Sequence, residues 1–310
     1  MHALPVFILL GCLTFCTRLQ GQGLTAKKYA EGVEISEGRS KVLFYQLKPK
    51  SLDGKYERSN YIHPLYSLDG NILTEDFPDD HPHHRGIFWA WHQIIYKGRQ
   101  IADGWSCENI SWEVVSSNIN EKKNQLSLDN EVLWKSSMDG GPQMPIIREN
   151  SRITVYSVRN QDYRLIDFEI RLNPLTDDLK IGGSDDPKGY GGFSLRFKLP
   201  DDILFVSKQK KVQAQELAVT AGPWLDFYGS LDGKGLPESG VAVFCHPSNP
   251  GFPEPWILRS VKSMQNPAYP GRVPVKLTSE GMRFQYRVVI HEKSIDPLDI
   301  EKLYEEYSKR

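Results

Sequence analysis

Five of the eight histidines, His63, His81, His83, His84 and His92, fall between positions 63 and 92. Imidazole can donate, accept or carry a proton near neutral pH, so such a concentration suits acid/base work or metal ligation. The densest part is Asp80-His81-Pro82-His83-His84-Arg85-Gly86. Pro82 stiffens this path by fixing φ and removing a donor. An extended path would send His81 and His83 to one side and His84 to the other. Arg85 adds a rigid fork able to hold a carboxylate or two hydroxyls. Gly86 is expected to permit a tight or positive-φ turn into the apolar strand 87–91. The competing reading makes these histidines turn caps bonded to backbone carbonyls, and His92 is expected to be structural or exposed. No His-x-x-x-His or Cys–His spacing supports a metal site. His81, His83 and His84 stand as the alternative ligand set, and no other cofactor is implied.

Three further groups could complete a site. Tyr61, Tyr66, Phe88, Trp89, Trp91 and Trp105 flank the histidines. Most should be core, while a minority could stack on the apolar faces of sugars. In the loop Ser184–Gly192, Lys188 and Tyr190 could meet substrate hydroxyls, with Asp185 or Asp186 orienting them; the same loop also reads as a solvated connection. Its glycines lack the strand–turn–helix context of a dinucleotide fingerprint. His246-Pro247-Ser248-Asn249-Pro250 follows an apolar run and precedes Pro253-Glu254-Pro255-Trp256. That proline-dense path suits a rigid rim loop carrying His246, Asn249 and Trp256.

The elements that must position these groups are strands. Period-two alternation runs through 166–172, 193–199 and 282–290, and Val241–Phe244 reads as a strand covered on both faces. Turn signals at Asp69-Gly70, Asp139-Gly140-Gly141 and Asp232-Gly233 separate such runs. One helix is expected at the C-terminus, capped by Asp296 with Pro297 in its first turn. An all-β fold follows, a large β-sandwich or barrel with a short C-terminal helix. Residues 24–310 read as one domain.

Residues 1–23 read as an export signal, too short to span a bilayer. Cleavage near Gly23 is expected, and Leu9-Leu10-Gly11-Cys12 allows the alternative of a lipid anchor. The mature chain, without Arg18, has 38 − 1 = 37 basic and 39 acidic side chains. That balance gives no basic patch for nucleic acid. No mature stretch near 20 residues is apolar enough for a membrane span. Cys107 and Cys245 remain, free to pair or not.

Four signatures carry a resemblance: Asp80–Gly86, Trp224-Leu225-Asp226, Gly240–Pro250 with Trp256, and Asn266-Pro267. Together they resemble secreted bacterial proteins labelled the "methane oxygenase PmoA" family, a domain of unknown function often encoded beside polysaccharide-degrading genes. More distantly, the all-β pattern is similar to the galactose-mutarotase superfamily, whose fold is a large β-supersandwich. That superfamily includes sugar epimerases, polysaccharide lyases and glycoside hydrolase domains. The resemblance implies a secreted or periplasmic carbohydrate-active protein using histidine acid/base chemistry. His83, His84 and His246 become the candidate catalytic groups. His63, His81, Arg85, Lys188, Tyr190, Asn249 and Trp256 become the candidate substrate-binding groups. Asp80, Asp186, Asp226 and Glu254 all compete as the partner carboxylate. A non-catalytic glycan-binding protein and a metal-dependent enzyme are the alternatives.

Overall fold

The computed structural model describes residues 23–159, 162–208, 210–231, 239–262, 264–292 and 297–310. The expected export signal, the Asp232-Gly233 turn and the Asp296 cap lie outside the described residues. Among the described residues the fold is all-β, a large β-sandwich with one short C-terminal helix. Six strands form one sheet, in the order Leu24–Lys28, Gly32–Glu37, Ser40–Gln46, Tyr61–Leu65, Ile87–Trp91 and Gly191–Leu195. Nine form the other: Ser111–Lys122, Gln125–Ser136, Met144–Tyr156, Tyr163–Pro174, Met282–Glu292, Ser239–Cys245, Trp224–Gly229, Leu204–Ser207 and Lys210–Val212. Within both sheets every pairing is antiparallel.

Side-chain parity explains the layering. Trp89 and Trp91 point from the six-stranded sheet into the space between the sheets. There Trp89 meets Phe168 at 6.4 Å and Trp91 meets Phe284 at 5.5 Å. Phe193 stacks on Tyr286 at 4.5 Å in the same layer. Each such ring buries roughly 150–250 Å², about 4–6 kcal/mol as an upper estimate of transfer energy. One carboxylate shares this core. Glu149 accepts from Trp89 Nε1 at 2.9 Å, Trp134 Nε1 at 2.8 Å and Asn60 Nδ2 at 2.9 Å. Burial still raises its pKa against those donors.

The intervening residues face outward. Phe88 and Ala90 gather with Tyr61, Trp105 and Met264 on the outer face of the six-stranded sheet. On the outer face of the nine-stranded sheet lies the helix Pro297–Ser308, where Ile300, Leu303, Tyr304 and Tyr307 cover Leu165, Ala242, Phe244 and Val289. Covering both faces explains why Ser239–Cys245 is buried throughout.

Two local expectations change. The run 193–199 leaves its ladder after Leu195, because Leu195 N donates to Gln265 O, Arg196 N to Gly86 O and Lys198 N to Leu73 O. Gly86 does not have a positive φ. Glycine is required there because a Cβ would stand 1.9 Å from Ile62 O, where the strands Tyr61–Leu65 and Ile87–Trp91 meet.

Candidate functional site

The histidine run is folded, not extended. His81 N donates to Pro78 O at 3.0 Å and His84 N to His81 O at 2.9 Å. Pro82 and His83 are therefore the central residues of a turn, with proline at the position its fixed φ suits. The turn brings together three rings that an extended chain would separate. His81 and His84 stack at 4.5 Å with planes 2° apart, and His83 meets His84 edge-on at 4.6 Å. His84 then meets Trp105 at 5.9 Å, Trp105 stacks with His92 at 5.3 Å, and Tyr190 packs on Trp105 at 5.6 Å. Trp105 is the buried floor of this group, while His81, His83, His92 and Tyr190 are partly exposed.

Two histidines of the group are held by carboxylates. His81 Nδ1 lies 2.7 Å from Asp80 Oδ2, and His92 Nδ1 lies 2.8 Å from Asp103 Oδ2. Both carboxylates are themselves fixed. Arg196 donates to Asp80 at 2.7 and 3.1 Å and to Glu75 at 2.6 Å. Asp103 accepts from the backbone N–H groups of Trp105 and Ser106 at 2.8 and 2.9 Å. Burial would raise Asp80, but bonds from His81 and Arg196 hold it below the usual carboxylate range. Burial likewise opposes the shift at Asp103, where His92 and the two N–H groups prevail and hold it low.

The other two imidazoles are kept neutral. Burial, then the neighbouring His81, His92 and Arg58, lowers His83 to about 4. Burial and its histidine neighbours push His84 lower still. His84 Nδ1 stands 3.4 Å from Arg196 Nη1. Among the described residues no group of three or more His, Cys, Asp or Glu could hold a metal ion.

Several expected site residues lie elsewhere. His246 continues the parity of Ala242 and Phe244 onto the outer face of the nine-stranded sheet, where its ring meets Tyr307 edge-on at 5.3 Å. Its Nδ1 bonds Ser248 Oγ at 2.7 Å. Two packed sheets therefore separate it from His83 and His84, so these three share no pocket. Arg85 is fully buried and saturated, donating to Asp76 at 2.5 Å, Tyr56 O at 2.8 Å and Tyr61 OH at 2.7 Å. Asn249 is buried between Glu254 and the Gln285 backbone, and Trp256 is a core side chain bonded to Gly222 O at 2.9 Å. None of these three offers a polar group to a ligand. His63 shares the outer face through Tyr61 but bonds Thr74 Oγ1 at 3.0 Å, and burial lowers it to about 4. Lys188 sits in a turn closed by Asp186, which accepts its backbone N–H at 2.7 Å. Of that loop, Tyr190 reaches the histidine group.

Among the competing carboxylates, Asp80 is the one beside the histidine run. Asp226 pairs with His291 at 3.0 Å, Glu254 with Asn249, and Asp186 with its own loop. The sequence reading took His92 as structural or exposed and did not single out Asp103 or Arg196. Parity could have found His92, since Phe88, Ala90 and His92 alternate outward from a strand whose tryptophans are core. Cys107 and Cys245 are both free thiols. Among the described residues no helix is long and apolar enough to cross a membrane.

A model for a "Family of unknown function (DUF6807)" matches residues 32–305. The comparison with curated proteins finds no match.

Proposed function

This chain belongs to the family of unknown function DUF6807, and we propose that it is an exported carbohydrate-active enzyme whose site is the histidine–tryptophan group outside the six-stranded sheet. The observation that supports this reading is the pair of carboxylate-oriented imidazoles, His81 on Asp80 and His92 on Asp103, joined through His84 and Trp105. With Nδ1 engaged, each presents Nε2 for proton transfer. Two such groups serve as acid and base for an epimerase, a lyase or a hydrolase. His83, neutral at pH 7, can donate one hydrogen bond and accept another at a sugar hydroxyl. The ring of Tyr190 beside the Trp105 floor suits the apolar face of a pyranose. The likeness to the galactose-mutarotase superfamily belongs to the same reading, with His81 and His92 in place of His83, His84 and His246.

The test is incubation of the purified protein with defined oligosaccharides and chromatographic separation of the products. We expect a new product, with His81→Ala and His92→Ala each slowing its formation by roughly 10²–10⁴-fold. Saturable quenching of tryptophan fluorescence with unchanged saccharide would identify a glycan-binding protein without turnover. Neither product nor quenching across the panel would refute the carbohydrate reading.

A further inference from the structure

Arg196 lies where its chain leaves the six-stranded ladder, and its backbone is held on both sides. Its N–H donates to Gly86 O at 2.7 Å, and its carbonyl accepts from Glu75 N at 3.0 Å. The side chain, 1 % exposed, is held as firmly. Nε donates to Glu75 Oε2 at 2.6 Å and Nη2 to Asp80 Oδ1 at 2.7 Å. Nη1 reaches two groups, Asp80 Oδ2 at 3.1 Å and His84 Nδ1 at 3.4 Å. Asp80 Oδ2 is also the oxygen that lies 2.7 Å from His81 Nδ1. A single nitrogen of one arginine thus meets His84 directly and His81 through one carboxylate oxygen.

Donor and acceptor rules then fix the protons. A guanidinium carries five N–H donors and has no acceptor. His84 Nδ1 therefore accepts from Arg196, and the single proton of the neutral His84 ring sits on Nε2. With the proton on Nδ1, two N–H groups would face each other across 3.4 Å inside two buried side chains, each left unsatisfied. At His81 the same rules give the reverse. Asp80, held below the usual carboxylate range, is ionised and accepts only. His81 Nδ1 is then the donor, and a neutral His81 ring has its lone pair on Nε2. Two rings 4.5 Å apart with planes 2° apart carry opposite tautomers.

We propose that Arg196 is a positioning residue that locks the stacked His81 and His84 in opposite tautomers, giving the site an acceptor at His81 Nε2 beside a donor at His84 Nε2. The role this gives each ring rests on the carbohydrate reading: His81 takes the proton of a sugar hydroxyl as general base, and His84 is a hydrogen-bond donor that does not exchange its proton. The tautomers themselves need no substrate to be observed.

Nitrogen NMR on the intact protein, labelled with ¹⁵N at histidine, tests the assignment. Long-range ¹H–¹⁵N correlations at pH 8 separate Nδ1–H rings from Nε2–H rings, and His81→Gln and His84→Gln identify the two signals by their loss. His84 should show the Nε2–H form in ~10-fold or greater excess, and His81 the Nδ1–H form. Arg196→Lys keeps a charge for Glu75 and Asp80 but lacks the planar fork that meets both groups, so the excess at His84 should fall to about threefold or less. Thermal melting confirms that this variant is folded. On a saccharide that is turned over, Arg196→Lys should lower kcat ~10-fold or more with KM within about twofold. An Nδ1–H signal at His84, or an Nε2–H excess that survives Arg196→Lys, overturns the inference and leaves the carbohydrate reading standing. Scrambled tautomers with kcat unchanged overturn the positioning role. The expected tautomers in a protein that neither binds nor converts any saccharide support the lock and overturn the carbohydrate reading alone.

Discussion

The neutral state imposed on His83 makes stability depend on pH in a calculable way. Burial lowers its pKa to about 4, whereas an unfolded chain offers an imidazole near 6.5. Between those values the unfolded state binds the additional proton, so stability falls as pH drops through 6.5 and levels off near 4. From pH 7 to pH 5 the full effect is about 2 kcal/mol by the linkage relation. The ring is partly exposed and solvent screens it, so about 1 kcal/mol is the better expectation. Other groups titrate in the same window; buried Glu149 and Glu254, both raised, act in the opposite direction. A difference measurement isolates the histidine. His83→Phe keeps a flat ring against Tyr56 and His84 and removes the titration. Urea unfolding followed by tryptophan fluorescence at pH 7, 6 and 5 should show wild type losing about 1 kcal/mol more than the variant. Parallel stability curves for the two proteins would refute the reasoning.

Two structural consequences can be checked with the same denaturation assay. Arg85→Met leaves Asp76, whose side chain is 4 % exposed, with Lys50 at 2.6 Å as its remaining cation, so the loss should be roughly 1–3 kcal/mol, short of the cost of a fully unpaired buried charge. A loss below about 1 kcal/mol would mean that Asp76 reaches solvent. His246→Ala removes an edge contact with Tyr307 and a bond to Ser248. It should cost about 1–2 kcal/mol while saccharide affinity stays within twofold, and a larger loss of affinity would contradict the placement of His246 on the far sheet.

Much of the architecture was legible because alternation survives wherever one strand face meets water. Ile166, Phe168, Ile170 and Leu172 all enter the core, and so do Phe284, Tyr286, Val288 and Ile290. The concentration of histidines also marked a stretch whose rings do pack together, His81 on His84 and His83 against both. What the sequence could not supply was partners at long range. Asp80 is fixed by Arg196, 116 residues away, and Trp105 is reached by Tyr190 from a separate loop. Local spacing is silent about such contacts. Pro82 was informative in a way the extended reading missed: a proline that stiffens an extended path equally well occupies the second position of a turn, and the turn brings His81, His83 and His84 together.

His246 shows most clearly where the inference had to fail. A strand covered on one face announces which residues point inward, but Ser239–Cys245 is covered on both. Val241, Val243 and Cys245 fill the space between the sheets, while Ala242 and Phe244 pack under the C-terminal helix. All are apolar, so the pattern that would reveal parity is erased. The residue after the strand then has two equally apolar histories to follow, and a shift of one position decides which side of the molecule it occupies. His92 is the counterpart. It too follows an apolar strand, Ile87–Trp91, buried at every position. Here the large tryptophans take the inner face, and the imidazole one place further emerges on the outer one, beside Trp105. The two histidines thus occupy similar positions in the sequence and opposite faces of the sandwich. That separation, and not the identity of either residue, places His92 and not His246 against Trp105 and the histidine run.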